Sequence, residues 1–417
     1  MKAINRIGFV ATRIAGTDGV SLETYKWVEV LERNGYECYA FAGELETPPE
    51  RSMAEPLAHF AHPEVQALHD RLFGRTRREL ADTQIIHHMT QKLKKRLYEF
   101  VGEFNLDLII AENALAIPMH IPLGMALTEL LAETAIPAIA HHHDFKWERD
   151  RFIINCVSDY LIYAFPPCLP NLRHVVINSA ASRQLAFRRG ISNFIIPNVF
   201  DFATPPTPSE HAQTLRRQLG FADDELMVLQ PTRIVPRKRI ERALELVAMM
   251  QMPKPRLVIS HLAGDEGDIY EERIKEYASQ LGVELIFIGE LVGPSRCFGT
   301  NHDRPYTIDD VYQAADIVTY PSAYEGFGNA FLEAIYFKKP LVVNRYSIFI
   351  EDIEPLGFEV VAFEAFVTSE HVEALRRLMK PHNLGRAVEK NYQLAAEHFS
   401  YEVLEKKLLW IIETFAG

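Results

Sequence analysis

The sequence predicts an α/β chain of two doubly wound domains. Three observations predict it. Short apolar runs recur along the chain, from Ile7-Gly8-Phe9-Val10 to Ile317-Val318-Thr319-Tyr320. Stretches of helical spacing alternate with them, which is the pattern of a parallel sheet with crossover helices. A proline-rich segment, Ala203-Thr204-Pro205-Pro206-Thr207-Pro208, then breaks the alternation near mid-chain, as a linker does. At 417 residues the chain is long enough for two hydrophobic cores.

Bulk composition narrows the function. Hydrophobic content of 48% and charged content of 24% are ordinary for a globular protein. A net charge of -12 argues against binding nucleic acid or docking on anionic membranes. The four cysteines, Cys38, Cys156, Cys168 and Cys297, are far apart and form no CxxC pair. A disulfide framework or a cysteine zinc site is therefore not expected. No leader and no apolar run of membrane-spanning length are visible, so a cytoplasmic protein is expected.

In the first half, Ile4 to Ala11 reads as a buried strand. The loop Gly16-Thr17-Asp18-Gly19 follows, and a helix starts near Val20 with Leu22, Tyr25, Val28 and Leu31 on one side. Gly35 ends it, and Glu37 to Phe41 is the next strand. Residues 44–90 do not read as a compact βα unit. Pro48-Pro49 and several histidines suggest an irregular insertion, with Arg75, Arg77 and Arg78 as a basic face. Gln91 to Phe104 is helical again. Asp107 to Ala111 is a strand ending in Glu112-Asn113, where an open α/β sheet lines its ligand crevice.

A helix over about 123–133 leads to the strand Ile136 to Ala140, which ends in His141-His142-His143-Asp144. A metal reading of this run is disfavoured, because neighbours on an extended chain alternate faces. His174 to Ser179 is a further strand, opening a helix that Gly190 ends. Phe194 to Asp201 then leads to the linker, and the domain boundary is placed near residue 202.

The second half opens with Leu226 to Arg233, followed by Pro236-Arg237-Lys238-Arg239 and a helix from Ile240. Arg233 and Lys238, at a strand end and just before a helix, suit a diphosphate. Leu257 to Ser260 and Glu284 to Gly289 are the next strands. The strand Ile317 to Tyr320 then enters Glu325-Gly326-Phe327-Gly328-Asn329, and a helix carries Glu333. Backbone N–H groups and the positive helix end favour a phosphate there. A carboxylate accepts two hydrogen bonds at once, which suits paired sugar hydroxyls. Pro340 to Val343 is a strand, and Tyr401 to Phe415 is the last amphipathic stretch.

Glu325-Gly326-Phe327-Gly328-Asn329 with Glu333 closely resembles the donor motif of retaining GT-B glycosyltransferases of family 4, also called glycosyltransferase group 1. The loop Gly16 to Gly19, His143 and the pair Arg233 and Lys238 fall in the order of that family. The resemblance implies two Rossmann-like domains facing across a cleft. Residues 1–202 would be the acceptor-side domain, with its insertion at 44–90, and 203–400 the donor domain. The helix 401–417 would pack back on the first.

The resemblance also implies roles. Glu325 contacts the transferred hexose, Gly326, Phe327, Gly328 and Asn329 lie against the donor diphosphate, and Glu333 binds the ribose. Arg233 and Lys238 meet the phosphates, Gly289, Glu290 and Leu291 hold the base, and Gly16, Gly19 and Val20 approach the donor. His143 lies near the reaction centre, with Asp144 orienting it or helping to close the site. Asp18, Glu112, Asn113 and Asp144 are the acceptor-side candidates.

The activity so implied is retaining transfer of a hexose from a UDP- or GDP-hexose to a hydroxyl of a small soluble acceptor. No cofactor is required; magnesium is compatible but nothing in the sequence implies it. Two other readings stand beside it: a sugar-nucleotide epimerase of the same architecture, and a non-catalytic sugar-nucleotide-binding protein. A dehydrogenase lacks support, since no GxGxxG follows the first strand.

Overall fold

The computed structural model describes residues 4–16, 18–250, 254–262, 268–293 and 304–415. Thr17 and Cys297 lie outside the described residues. Two compact units divide the chain: Met1–Asn198 together with Glu402–Gly417, and Val199–Tyr401.

The first unit holds seven strands: β1 (Arg6–Val10), β2 (Glu37–Ala42), β3 (Ser52–Ala54), β4 (Leu108–Glu112), β5 (Ala138–His142), β6 (Leu172–Val176) and β7 (Asn193–Ile195). Their order is β3-β2-β1-β4-β5-β6-β7, and every pairing is parallel. Winding reverses between β1 and β4, where Ile7 lies beside Leu108 and Val10 beside Ala111. The loops after these two strands leave in opposite directions, which opens a crevice at the carboxyl edge.

The core lies between this sheet and its helices. Leu93, Leu97 and Phe100 of the helix Leu80–Phe104 pack with Ile109 and Ala111 of β4 and Leu127 of the helix Ile121–Thr134. Gly8 makes that fit possible. A Cβ there would lie 2.4 Å from Leu106 Cδ1 and 2.8 Å from Phe100 Cε1.

Residues 44–90 are more regular than the sequence suggests. They supply the edge strand β3, the helix Pro63–Leu72 and the start of the helix Leu80–Phe104, which begins well before Gln91. The strand is three residues long between prolines, too short for a period-2 signal. Arg78 is held by Asp159 through two hydrogen bonds of 2.8 and 2.7 Å.

The C-terminal helix Tyr401–Glu413 is part of the first unit from Glu402 onward. Lys407 Nζ donates to the Ile195 carbonyl at 2.9 Å, and Trp410 meets Phe194 edge-on. Leu404, Leu408 and Ile411 are its fully buried stripe.

The second unit holds β8 (Leu226–Gln230), β9 (Pro255–Ile259), β10 (Leu285–Phe287), β11 (Val292–Gly293), β12 (Tyr306–Thr307), β13 (Ile317–Tyr320), β14 (Leu341–Asn344) and β15 (Val361–Phe363). The main sheet runs β10-β9-β8-β13-β14-β15, while β11 and β12 pair separately. All pairings are parallel, and winding reverses between β8 and β13. The segment after β8, with Arg233 and Lys238, and the segment after β13, with Glu325, thus flank one open edge by topology alone. No helix among the described residues is long and apolar enough to cross a membrane.

One helix start is pH-sensitive. His120 caps Ile121–Thr134: its Nδ1 accepts the Leu123 N–H at 3.1 Å, and its Nε2 donates to the Leu57 carbonyl at 2.7 Å. The cap therefore needs the neutral ring. Burial pushes the His120 pKa down to about 4 from 6.5. The folded protein resists a proton that the unfolded chain accepts, so stability is full above pH 6.5 and falls as pH drops toward 4. The expected contribution is on the order of 3 kcal/mol. Urea melts across this range should show the loss, and His120→Asn, which keeps a capping side chain, should flatten it.

Candidate active site

In the second unit, four carboxyl-end segments converge. After β13 the chain turns through Ser322 to Gly328 and enters the helix Asn329–Tyr336. Gly328 has φ +116°, and a Cβ there would lie 2.4 Å from Tyr346 Oη. That hydroxyl donates to the Phe327 carbonyl at 2.8 Å and so fixes the loop. Phe327 is buried against Phe399, while Gly326 is exposed.

The turn Pro236–Lys238 follows β8 and is stitched to this loop by a 2.8 Å hydrogen bond from the Ala323 N–H to the Arg237 carbonyl. Lys238 Nζ pairs with Glu325 Oε1, and Arg237 Nη1 reaches Glu325 Oε2 at 3.0 Å. Lys238 is only 8% exposed and lies 5.5 Å from the centre of the Tyr320 ring. Burial works to raise the Glu325 carboxyl, yet Lys238 and Arg237 overcome it and hold the group below its usual pKa. Burial lowers the Lys238 ammonium, with Glu325 opposing.

Arg233 and Lys238 sit differently at this edge. Lys238 is already committed to Glu325. Arg233 is exposed and, among the described residues, enters no ion pair. His261, after β9, is pushed down to about 4 by burial and then by Lys238 and Arg233. It is therefore neutral near pH 7, with Ser260 Oγ 2.9 Å from its Nδ1.

The turn Gly289–Leu291 follows β10 and presses on the same region: a Cβ at Gly289 would lie 2.7 Å from the Leu262 nitrogen. Glu333, inside the helix, accepts a 2.7 Å hydrogen bond from the buried Tyr312 hydroxyl. Arg237, Tyr320 and Tyr346 were not singled out as site residues from sequence. Only the adjacency of Arg237 to Lys238 signalled it.

In the first unit, the expected residues also gather at the carboxyl edge. Gly16 has φ +72°, and its N–H donates to Glu46 Oε2 at 2.9 Å. Gly19 and Val20 open the helix Gly19–Arg33. Asp18 is that helix's cap. Its Oδ1 accepts the N–H groups of Val20 and Ser21, and its Oδ2 accepts from Ser21 Oγ and Arg13. These bonds make the carboxylate the cap of that helix.

Glu112 is likewise turned inward. It is 2% exposed, with Oε2 2.9 Å from His141 Nδ1 and 3.4 Å from His143 Nε2. Asn113, at φ +55°, accepts the His143 N–H on Oδ1 at 3.1 Å and donates from Nδ2 to Asp144 at 2.9 Å. Asp144 also receives Arg149 Nε at 2.8 Å. His142 points the other way, with Nε2 2.9 Å from His174 Nδ1. Beyond Asp144, burial and then the Asp144 charge push Glu148 up to about 7. Sequence reading passed over it, because Lys146-Trp147-Glu148-Arg149-Asp150 looks like a solvated charged face.

Two substitutions probe the second unit. Gly328→Ala combines a left-handed φ with a collision, and should lower stability by roughly 3 kcal/mol in thermal melts. Glu325→Gln leaves the buried Lys238 ammonium without its counter-charge and should cost about 3 kcal/mol or more. Adding Lys238→Met should recover much of that loss, and a double-mutant cycle measures it.

The glycosyl transferases group 1 family model matches residues 211–393. The mannosylglucosylglycerate synthase of Thermotoga maritima is 32% identical over 96% of this chain and 98% of that protein. The synthase of the same name from Petrotoga mobilis is 32% identical over 97% of this chain and 96% of its own. Among solved structures, a glycosyltransferase from Rickettsia africae superposes with a TM-score of 0.70 at 13% identity, covering 99% of both chains. Two parallel α/β units, the glycine loop on its helix and these likenesses agree: the chain belongs to the group 1 glycosyl transferases and is a glycosyltransferase of GT-B fold.

Proposed function

We propose that this enzyme transfers a hexose, with retention, from a nucleotide-diphosphate sugar to a hydroxyl of a small acceptor. The observation that carries this reading is the convergence of Arg233, Lys238, Glu325 and the Gly328 loop on one sheet edge. The relatives are named for mannosylglucosylglycerate, which favours a mannosyl donor, as UDP- or GDP-mannose, and glucosylglycerate as acceptor. The cytoplasm is the proposed location, and 199–401 the proposed donor unit.

In this reading the donor diphosphate lies against Gly326, Gly328 and the first N–H groups of the helix at Asn329. Arg233 meets the phosphates directly. Lys238 contributes its charge while holding Glu325. As the sugar–oxygen bond breaks, negative charge grows on the leaving diphosphate. Fixed donors and cations aimed at that charge lower the barrier, since they need no reorganisation. Glu325, kept ionised by Lys238 and Arg237, accepts from hexose hydroxyls and steadies the positive charge on the ring. Glu333 takes the ribose, and Gly289 and Leu291 the base. Gly16, Gly19 and Val20 are kept as proposed donor contacts. His143 stands at the reaction centre, and Asn113 and Asp144 face the acceptor. The leaving phosphate takes the acceptor proton on the same face of the sugar, which gives retention.

The test is direct. The purified protein is incubated with glucosylglycerate and each of UDP-mannose, GDP-mannose, UDP-glucose and GDP-glucose. Release of nucleoside diphosphate and the anomeric configuration of the product are measured, the latter by NMR. One donor should give a retained linkage. Arg233→Ala should lower kcat by roughly 100-fold with the fold unchanged by circular dichroism. Failure of every donor, or an inverted product, would sink this reading.

A further inference from the structure

The buried cluster at the ends of β4 and β5 has an unusual charge balance. Glu112 lies with no water-exposed face, and its neighbours on Oε2 are the imidazoles of His141 and His143. Among the described residues no lysine or arginine pairs with it. Its second oxygen, Oε1, is buried with no hydrogen-bond partner. A buried carboxylate with one bare oxygen and no fixed cation carries a desolvation cost that only the two imidazoles offset. A positive charge at this point would remove that cost.

We propose that Glu112, His141 and His143 form a binding site for one divalent transition-metal ion. One ligand atom from each of the three lies within 4.8 Å of the others. Tetrahedral metal bonds of about 2.0–2.2 Å place neighbouring ligands roughly 3.3–3.6 Å apart. Glu112 Oε2 lies 3.4 Å from His143 Nε2, within that spacing, and 2.9 Å from His141 Nδ1, so only a shift of a few tenths of an ångström there is needed to admit an ion.

The scaffold holds these side chains in place before any ion arrives. His141 is stacked on the buried Trp27 ring at 4.1 Å, and the backbone of His143 is pinned by Asn113. Alternation along β5 does the sorting. His141 and His143 share a face with Glu112 from the adjacent strand, while His142 turns to His174. Two imidazoles and one carboxylate select zinc, cobalt or manganese over magnesium and calcium, which prefer all-oxygen shells. Three protein ligands leave positions open for water or a substrate oxygen. This site stands on the first unit alone and does not depend on the donor assignment.

The whole chain, stripped with a chelator, is titrated with Zn2+, Mn2+ and Co2+ by calorimetry, and the Co2+ visible spectrum is recorded. One ion per chain is expected, with a spectrum free of thiolate bands. Glu112→Gln and the more accessible His143→Asn should each weaken binding at least 10-fold, in variants whose circular dichroism matches the parent. Absence of binding at millimolar metal would overturn the proposal. So would thiolate bands, or unchanged affinity in a folded His143→Asn or Glu112→Gln variant, since each places the ion elsewhere.

Discussion

A lysine buried at the end of β8 needs a carboxylate, and Glu325 is the one it has. The pair ties the turn Pro236–Lys238 to the loop after β13, across the place where the strand order reverses. Arg237 adds a second bond to the same carboxylate, and the Ala323 N–H to Arg237 carbonyl bond adds a third tie. Removing one charge would strand the other in a dry site, so the geometry holds as a unit.

The rest of the donor edge follows from that tie. With Glu325 fixed, the loop reaches the helix at Asn329 through a glycine that alone fits beneath Tyr346. Arg233 is left as the exposed cation, and His261 beside it stays neutral, so the positive potential is concentrated on a guanidinium. Such a site is organised before the ligand arrives, which is what charge development in a transition state requires. The first unit uses a different device. There a carboxylate is held by imidazoles, and Asn113 links the ends of β4 and β5.

Much of the fold was legible because each strand is a short apolar run and the alternation with helices is regular. β15 and β3, each three residues long, were not. The helix Leu80–Phe104 hid its first turns behind His87, His88 and Asp82, whose polarity masks a buried stripe through Ile86, Met89 and Leu93. In the site, Glu325, Glu333 and Lys238 were legible as types at a spacing. Their pairings were not: that Lys238 is bound to Glu325, that Asp18 is a cap, and that Glu112 faces inward.

The sequence by itself determined the family, through Glu325-Gly326-Phe327-Gly328-Asn329 and the order of motifs before it. It also determined the class of fold, because local hydrophobic period and glycine placement are properties of neighbouring residues. Only the tertiary structure decided which charges meet. Lys238 and Glu325 are far apart in sequence and meet because β8 and β13 are neighbours in the sheet. Glu112 meets His141 and His143 because β4 lies beside β5 in register, with Glu112 opposite His141. Strand order and register set those contacts, and no local pattern encodes them.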